Sequence, residues 1–167
     1  MLLRQPEGSE VAAIVSIRGQ REYAVDAPHI SQRLVLSFDD TEAPSATDLL
    51  QASRVRLRQR EAASYGLVLK APVDADARAL IDFAASIRGM SGAMLCQCLA
   101  GVSRSSAAAM ICLCVWAGAG QEVACAQRVR RVRPSASPNP YFVALADAAL
   151  GRRGAMIDAV NREFGVS

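Results

Sequence analysis

The fold of this chain is decided by the stretch Leu95-Cys96-Gln97-Cys98-Leu99-Ala100-Gly101-Val102-Ser103-Arg104-Ser105-Ser106. The stretch begins as an apolar run typical of a buried strand, which the pattern predicts over Ala93 to Cys98. It then passes through a loop that contains a glycine and enters Ser105 to Ala117, a nearly all-apolar segment. Because that segment is too short to cross a bilayer, it predicts a helix in the centre of the core. The N–H groups of the loop and the positive end of the helix converge on one point, so we expect an anion-binding site there.

Two further apolar runs predict strands of the same sheet. Residues 11–17 are rich in β-branched side chains and end at Arg18-Gly19, a pattern that favours a buried strand. Residues 34–38 form the second run, which ends on the carboxylates of Asp39 and Asp40. Since α/β folds place their functional residues at the carboxyl ends of strands, these two carboxylates are candidate site residues.

Helical patterns alternate with these strands. Asp74 is predicted to cap an amphipathic helix that Gly89 ends, and the apolar segment before it, Tyr65 to Pro72, is either a short strand or an extended connection. Three further helices are predicted: Gln121 to Arg131, a helix that Asn139 caps and that runs to Leu150, and a C-terminal helix at about residues 154–164. The alternation predicts one three-layer α/β domain over residues 1–167, with a central, mainly parallel sheet flanked by helices.

A basic segment at about residues 45–64 interrupts this pattern. It is compatible with a helix and carries Arg54, Arg56, Arg58 and Arg60. Arginines at every second position are scattered around a helix instead of being collected on one face. We therefore interpret the segment as a solvated insertion, with a patch that binds a phosphate ligand or a partner as the alternative.

The composition limits the class of protein. Of 167 residues, 51% are hydrophobic but only 5% are aromatic, so one core built mainly of aliphatic side chains and alanine is expected, and disorder is excluded. The net charge of +3 is too small for a protein dedicated to nucleic acid, although its arginines favour phosphate and carboxylate partners. Residues 1–7 lack the apolar run of a secretory signal, and no later run is long enough for a membrane helix. These features predict a cytoplasmic protein without a membrane or nucleic-acid partner.

The cysteines and the single histidine have ordinary structural interpretations. Five cysteines are an odd number, so a disulfide framework is not expected. The spacings Cys96-x-Cys98 and Cys112-x-Cys114 superficially suggest zinc, but residues two apart on a helix do not share a face, and we expect no metal. The cysteines other than Cys98 are predicted to be small core residues. His29 is predicted to lie at the surface, without a catalytic pairing to Cys98.

The loop carries a specific resemblance. Cys98, five residues and then Arg104, with Ala100-Gly101-Val102-Ser103 inside and Ser105 after, resembles the signature of the cysteine-dependent protein tyrosine phosphatases. The closest branch is the dual-specificity type, and within it a group of small bacterial predicted tyrosine phosphatases. Arg133-Pro134 followed by Pro138-Asn139, Phe142 and Leu145 is similar to the segment that follows the loop helix in that family. The resemblance spans about residues 30–150, and the basic segment looks like an insertion relative to compact members.

The resemblance implies a tyrosine-phosphatase-like fold and a reaction. Cys98 would be the nucleophile that forms phosphocysteine, Arg104 the phosphate clamp, and Ser105 the hydroxyl that helps the thiolate leave. The remaining phosphate-binding positions would be Leu99, Ala100, Gly101, Val102 and Ser103. The substrate would be a phosphorylated protein or a small phosphate monoester, and neither a metal nor another cofactor is implied.

The general acid is assigned to Asp40. Neighbours on an extended strand point to opposite faces, so only one of Asp39 and Asp40 can easily face the pocket. Asp39 is the first alternative, and Asp74 and Asp76 are the others.

Three functions are compatible with these residues. The first is a metal-independent phosphatase of the tyrosine or dual-specificity type. The second is a catalytically impaired phosphate- or phosphopeptide-binding protein, because Gln97 stands where the family has a histidine that orders the loop. The third is sulfur transfer of the rhodanese kind, which Ser103-Arg104-Ser105 fits less well. The basic helix end with Arg128, Arg130, Arg131 and Arg133 is interpreted as solvated, with steering of an anionic substrate as the alternative.

Overall fold

Three parallel strands form the centre of the sheet. A computed structural model describes residues 2–3, 10–23 and 27–165. The strands are β1 (Leu2–Leu3), β2 (Val11–Arg18), β3 (Gln32–Ser37) and β4 (Ala93–Gln97), in the order β1-β4-β2-β3. β2 pairs in parallel with both β3 and β4, whereas β1 adds an antiparallel edge to β4. This edge strand was not predicted from the sequence.

Six helices accompany the sheet in the described part of the chain. They are α1 (Leu49–Ser64), α2 (Asp74–Ser86), α3 (Arg104–Ala117), α4 (Glu122–Val132), α5 (Pro140–Ala149) and α6 (Ala155–Phe164). The structure thus confirms the predicted α/β class, with a mainly parallel sheet flanked by helices as in a three-layer domain.

The core follows from the alternation of side chains along β2. Ala13, Val15 and Ile17 belong to the main hydrophobic cluster, together with α3, whereas Ile14 lies in a smaller cluster with Ala27 and Ile30. This separation is expected because successive side chains of a strand point to opposite faces. The residues of α3 from Arg104 to Cys114 are all buried, which confirms the central position predicted for this helix.

The strand register brings three chain segments to one edge of the sheet. Arg18 is paired with Ser37, and Ser16 is paired with Gln97, so the carboxyl ends of β2, β3 and β4 are adjacent. The residues that follow these strands therefore meet, as α/β folds require of a site at this edge. His29 precedes β3 and is exposed, which places it toward the opposite edge from Cys98.

Several local predictions need correction. Asp74 is not the cap of α2: it is the first helical residue, Val73 is the cap, and Asp76 accepts a hydrogen bond from the Val73 N–H at 2.9 Å. Tyr65 to Pro72 forms no strand and is a connection. β4 ends at Gln97, so Cys98 is the first loop residue.

Asn139 is confirmed as the cap of α5, because its side chain accepts a hydrogen bond from the Phe142 N–H at 2.8 Å. No helix in the described ranges is both long and apolar enough to cross a membrane. The prediction that residues 1–7 lack a secretory signal falls largely outside the described residues, and the single-domain limits 1–167 stay a prediction.

Candidate active site

The loop between β4 and α3 is held by hydrogen bonds on its outer side. The carbonyl oxygen of Val102 accepts from the Ser137 N–H at 3.0 Å and from the Ser106 hydroxyl, which also donates to the Ser103 carbonyl at 2.9 Å. These carbonyls are thus satisfied by the protein, while N–H groups of the same loop are directed inward. Two of those N–H groups, on Gly101 and Ser105, bond to the sulfur of Cys98.

Cys98 is half-buried at the base of the loop, with its Sγ atom 3.3 Å from the Ser105 Oγ atom. Burial alone would raise its pKa, because it disfavours the charged thiolate. The Ser105 hydroxyl, the N–H groups of Ser105 and Gly101, and the charge of Arg104 outweigh burial, and the pKa of Cys98 is lowered. Lowering the pKa of a thiol enlarges the fraction present as the nucleophilic thiolate.

Gly101 is required by the backbone of the loop. Its φ is +67°, in the left-handed region that side-chain-bearing residues rarely adopt. Its N–H bonds to the sulfur in this conformation. A larger residue would therefore strain the part of the loop that stabilises the thiolate.

Arg104 begins α3 and is only 5% exposed. Its Nη1 and Nη2 atoms donate to the two carboxylate oxygens of Glu22, each at 3.0 Å, and Nη1 also donates to the Phe38 carbonyl oxygen at 3.2 Å. Burial would lower the pKa of Arg104, but Glu22, Cys98 and Asp40 together raise it. The guanidinium is thus a fixed positive charge beside the sulfur.

The contacts with Glu22 and Phe38 leave one edge of the guanidinium for a ligand. A guanidinium has five N–H donors in one plane, and three of them are used by these two residues. The remaining donors are the Nε–H and one N–H of Nη2, which lie on the same edge. Two parallel donors of this kind match two oxygens of a phosphate.

Gly19 is required by a close approach. A Cβ atom at this position would lie 2.3 Å from Asp39 Oδ1 and 3.2 Å from a carboxylate oxygen of Glu22. The Gly19 N–H also donates to Glu22 at 2.9 Å. Any side chain here would push apart the groups that hold Arg104.

The two neighbouring carboxylates after β3 have different surroundings. Asp39 is tied into the fold, since its oxygens accept from the N–H groups of Lys70 at 2.8 Å and Gln20 at 3.2 Å. Asp40 is exposed, and its Oδ1 accepts from the Ser103 hydroxyl at 2.7 Å and from the Asn139 amide at 2.8 Å. Asp40 therefore borders the catalytic loop, whereas Asp39 bridges chain segments.

A cleft of about 230 Å³ opens beside Asp40 and is lined in part by Ser103, Asn139 and Tyr141. Arg58 of α1 also lines it and donates from Nη2 to the Asp40 carbonyl oxygen at 3.1 Å. The basic segment, interpreted as a solvated insertion, thus brings one arginine to the edge of the candidate site.

The remaining predicted residues are placed as follows: Leu99 and Ala100 are exposed at the mouth of the loop, Gly101, Val102 and Ser103 are half-buried, and Asp74 and Asp76 begin α2. The Gln97 amide has no hydrogen-bond partner among the described residues, so it does not order the loop in the way expected of a histidine. Arg133, at the end of the basic helix, donates to the Ala100 carbonyl at 3.4 Å. No group of metal-ligating side chains occurs in the described residues.

Sequence analysis missed Glu22, Gly19 and the two residues that hold Asp40. Glu22 and Gly19 follow the carboxyl end of β2, just as Asp39 follows β3. The rule that α/β folds place functional residues after strand ends would have found them if it had been applied to every strand. Asn139 was predicted only as a cap, and its second role depends on tertiary packing.

Comparisons of the chain with protein-family models, with curated proteins and with solved structures find no match. The chemistry of the site is therefore assigned from its own geometry.

Alkylation of Cys98 should follow a lowered pKa. Because iodoacetamide reacts with the thiolate, its rate should rise with pH through a midpoint below the ordinary thiol value of 9.0. Ser105→Ala removes a hydrogen bond to the sulfur and should move the midpoint upward. The rate is measured by peptide mass spectrometry of the fragment that contains Cys98. A midpoint at or above 9.0 in the unmodified protein would contradict the proposed stabilisation of the thiolate.

Glu22→Gln should lower the free energy of unfolding near neutral pH by about 3 kcal/mol, because it leaves the buried Arg104 without its counter-charge. Burial raises the pKa of Glu22, but Arg104 and the Gly19 N–H reverse this, so the pKa lies below the ordinary 4.5. The stabilisation is thus present above pH 4.5 and is lost as the pH falls through the lowered value. Denaturant titrations at several pH values measure the difference.

The exposed Glu61→Gln serves as the matched control and should change the free energy of unfolding by less than about 0.5 kcal/mol. Equal stabilities of Glu22→Gln and Glu61→Gln at neutral pH would show that the ion pair does not hold the site.

Proposed function

We propose that this protein is a cysteine-dependent phosphatase of the tyrosine or dual-specificity type, which hydrolyses phosphate monoesters through phosphocysteine. One observation carries the proposal: the thiol of lowered pKa on Cys98 and the unoccupied donor edge of Arg104 belong to one loop. A nucleophile and a two-pronged phosphate clamp are the two parts that this reaction needs. A phosphorylated protein or a small phosphate ester in the cytoplasm is the substrate class that belongs to this proposal.

The reaction has two steps. The Cys98 thiolate attacks phosphorus opposite the ester oxygen, an S–P bond forms, and the P–O bond to the leaving group breaks. Asp40 supplies the proton that the leaving oxygen takes up; its Oδ1 accepts from Ser103 and Asn139, and its other oxygen carries the proton.

In the second step Asp40, now a carboxylate, accepts a proton from water, and the water oxygen attacks phosphorus. The S–P bond breaks and the electron pair returns to the sulfur, where the Ser105 hydroxyl stabilises the thiolate. The N–H groups of the loop and the free edge of Arg104 hold the other phosphate oxygens through both steps.

A second candidate function is phosphate or phosphopeptide binding without turnover. It is favoured by Gln97, whose amide makes no hydrogen bond to the described residues, so that the loop has one constraint fewer than the family pattern implies. The same cradle would then hold the ligand but react slowly.

Hydrolysis of para-nitrophenyl phosphate in excess chelator separates the two functions. We expect turnover that Cys98→Ser abolishes and that Arg104→Lys lowers by about 10³-fold, because one ammonium cannot replace the planar fork. Arg54→Lys on α1 provides a matched control at an exposed arginine and should leave turnover unchanged. Phosphate binding without turnover in the unmodified protein would establish the second function instead, and near-normal turnover of Arg104→Lys would contradict the clamp.

Asp40→Asn should affect substrates according to their leaving groups. Turnover of phenyl phosphate, whose leaving oxygen needs a proton, should fall by about 10²-fold or more, and turnover of para-nitrophenyl phosphate should fall much less. Asp39→Asn, which loosens the connection to Lys70 and Gln20, should reduce both rates by the same factor. The ratio of the two rates in each variant is the measurement. If Asp39→Asn shows the selective loss, the acid is Asp39.

A further inference from the structure

A cavity of about 480 Å³ lies at the opposite end of the sheet from Cys98. Its walls come from the end of α2, the start of β4, the last turn of α3 and the start of α4. β4 has five residues and α3 has 14, so the cavity is roughly 15–20 Å from the catalytic loop. It is therefore separate from the candidate active site.

The lining of the cavity has a consistent chemistry. Most of its wall is apolar, with Met94, Leu113 and Trp116 as the largest of the inner side chains. No carboxylate occurs among the described residues that line it, whereas Arg88 and Arg128 both do. The volume lies within the range of about 300–1,000 Å³ that is typical of small-molecule sites, and an apolar wall with few charged groups is their usual lining.

Two hydrogen bonds hold the wall in place without a ligand. The Trp116 indole N–H donates to the Ala84 carbonyl at 2.8 Å, which orients the ring. The Arg88 guanidinium donates from Nη2 to the Trp116 carbonyl oxygen, which keeps its charge at the cavity. A site that is formed in advance binds with a smaller loss of conformational entropy.

We propose that this cavity binds a small molecule with an apolar body and one anionic group, of the class of aromatic or aliphatic carboxylates and sulfonates. The apolar body occupies the space against Met94, Leu113 and Trp116, and Arg88 binds the anion. Such a site is independent of the phosphatase reaction, since none of the residues of the loop from Cys98 to Arg104 lines it.

Cys125 reports on occupancy. It lines the cavity, whereas Cys96, Cys112 and Cys114 are buried elsewhere in the core. A hydrogen bond with Cys114 lowers the pKa of Cys125, and the charges of Arg128 and Arg152 act in the same direction against burial. A ligand in the cavity would shield this thiol from a small alkylating reagent.

The probe is 8-anilinonaphthalene-1-sulfonate, a fluorescent apolar anion. We expect one saturable site in a fluorescence titration of the full chain, and slower iodoacetamide labelling of Cys125 when the probe is bound, in protein carrying Cys98→Ser. The uncharged analogue N-phenyl-1-naphthylamine should bind about tenfold or more weakly, because it lacks the group that Arg88 pairs with. Excess inorganic phosphate, which competes at the catalytic loop, should not displace the probe.

Three variants test the location. Arg88→Gln should raise the dissociation constant about tenfold or more, and Ala124→Trp, at an exposed lining position, should block the site sterically. Arg78→Gln removes the same charge from an exposed position on α2 and should bind the probe normally. Binding that is unsaturable, that phosphate displaces, or that Arg88→Gln and Ala124→Trp both leave unchanged would overturn the proposal.

Discussion

The ion pair between Arg104 and Glu22 is the interaction on which the rest of the site depends. A charged group that is almost fully buried needs a partner and hydrogen bonds, because its desolvation is costly. The partners of Arg104 come from two other chain segments: Glu22 follows β2 and Phe38 follows β3, while Arg104 itself begins the helix after β4. One guanidinium thus joins the carboxyl ends of all three parallel strands. The edge of the guanidinium that faces a ligand is determined by the contacts on its other edges.

The neighbours of this ion pair divide structural and chemical tasks between similar residues. Asp39 and Asp40 are adjacent in sequence, but Asp39 accepts backbone N–H groups from two other segments and Asp40 accepts side-chain donors beside the catalytic loop. The alternation of side chains after a strand separates them. Because Asp39 anchors the segment that follows Gly19, it keeps Glu22 near Arg104, and Asp40 is left exposed at the loop.

The sequence predicted the parts of the fold that local patterns encode. The strand, loop and helix around Cys98, the cap at Asn139 and the buried character of α3 all follow from short-range periodicity and capping chemistry. Glu22 could not be predicted in this way, since it belongs to no periodic pattern and its partner is 82 positions away in the chain. The edge strand β1 has only two residues, too few for a pattern. Asp74 was misplaced by one position because Asp76, two residues later, competes for the same backbone N–H.

The small side chains of α3 explain how so few aromatic residues suffice for a core. Ala107, Ala108 and Ala109 are completely buried in the first half of the helix, and small side chains allow close approach of neighbouring elements. Close packing here immobilises the end of the helix that carries Arg104 and Ser105. At the other end of the same helix, Leu113 and Trp116 are larger, and the space around them is not filled by the chain. Tight packing at the catalytic loop and open volume at the far end are thus two consequences of one distribution of side-chain sizes along α3.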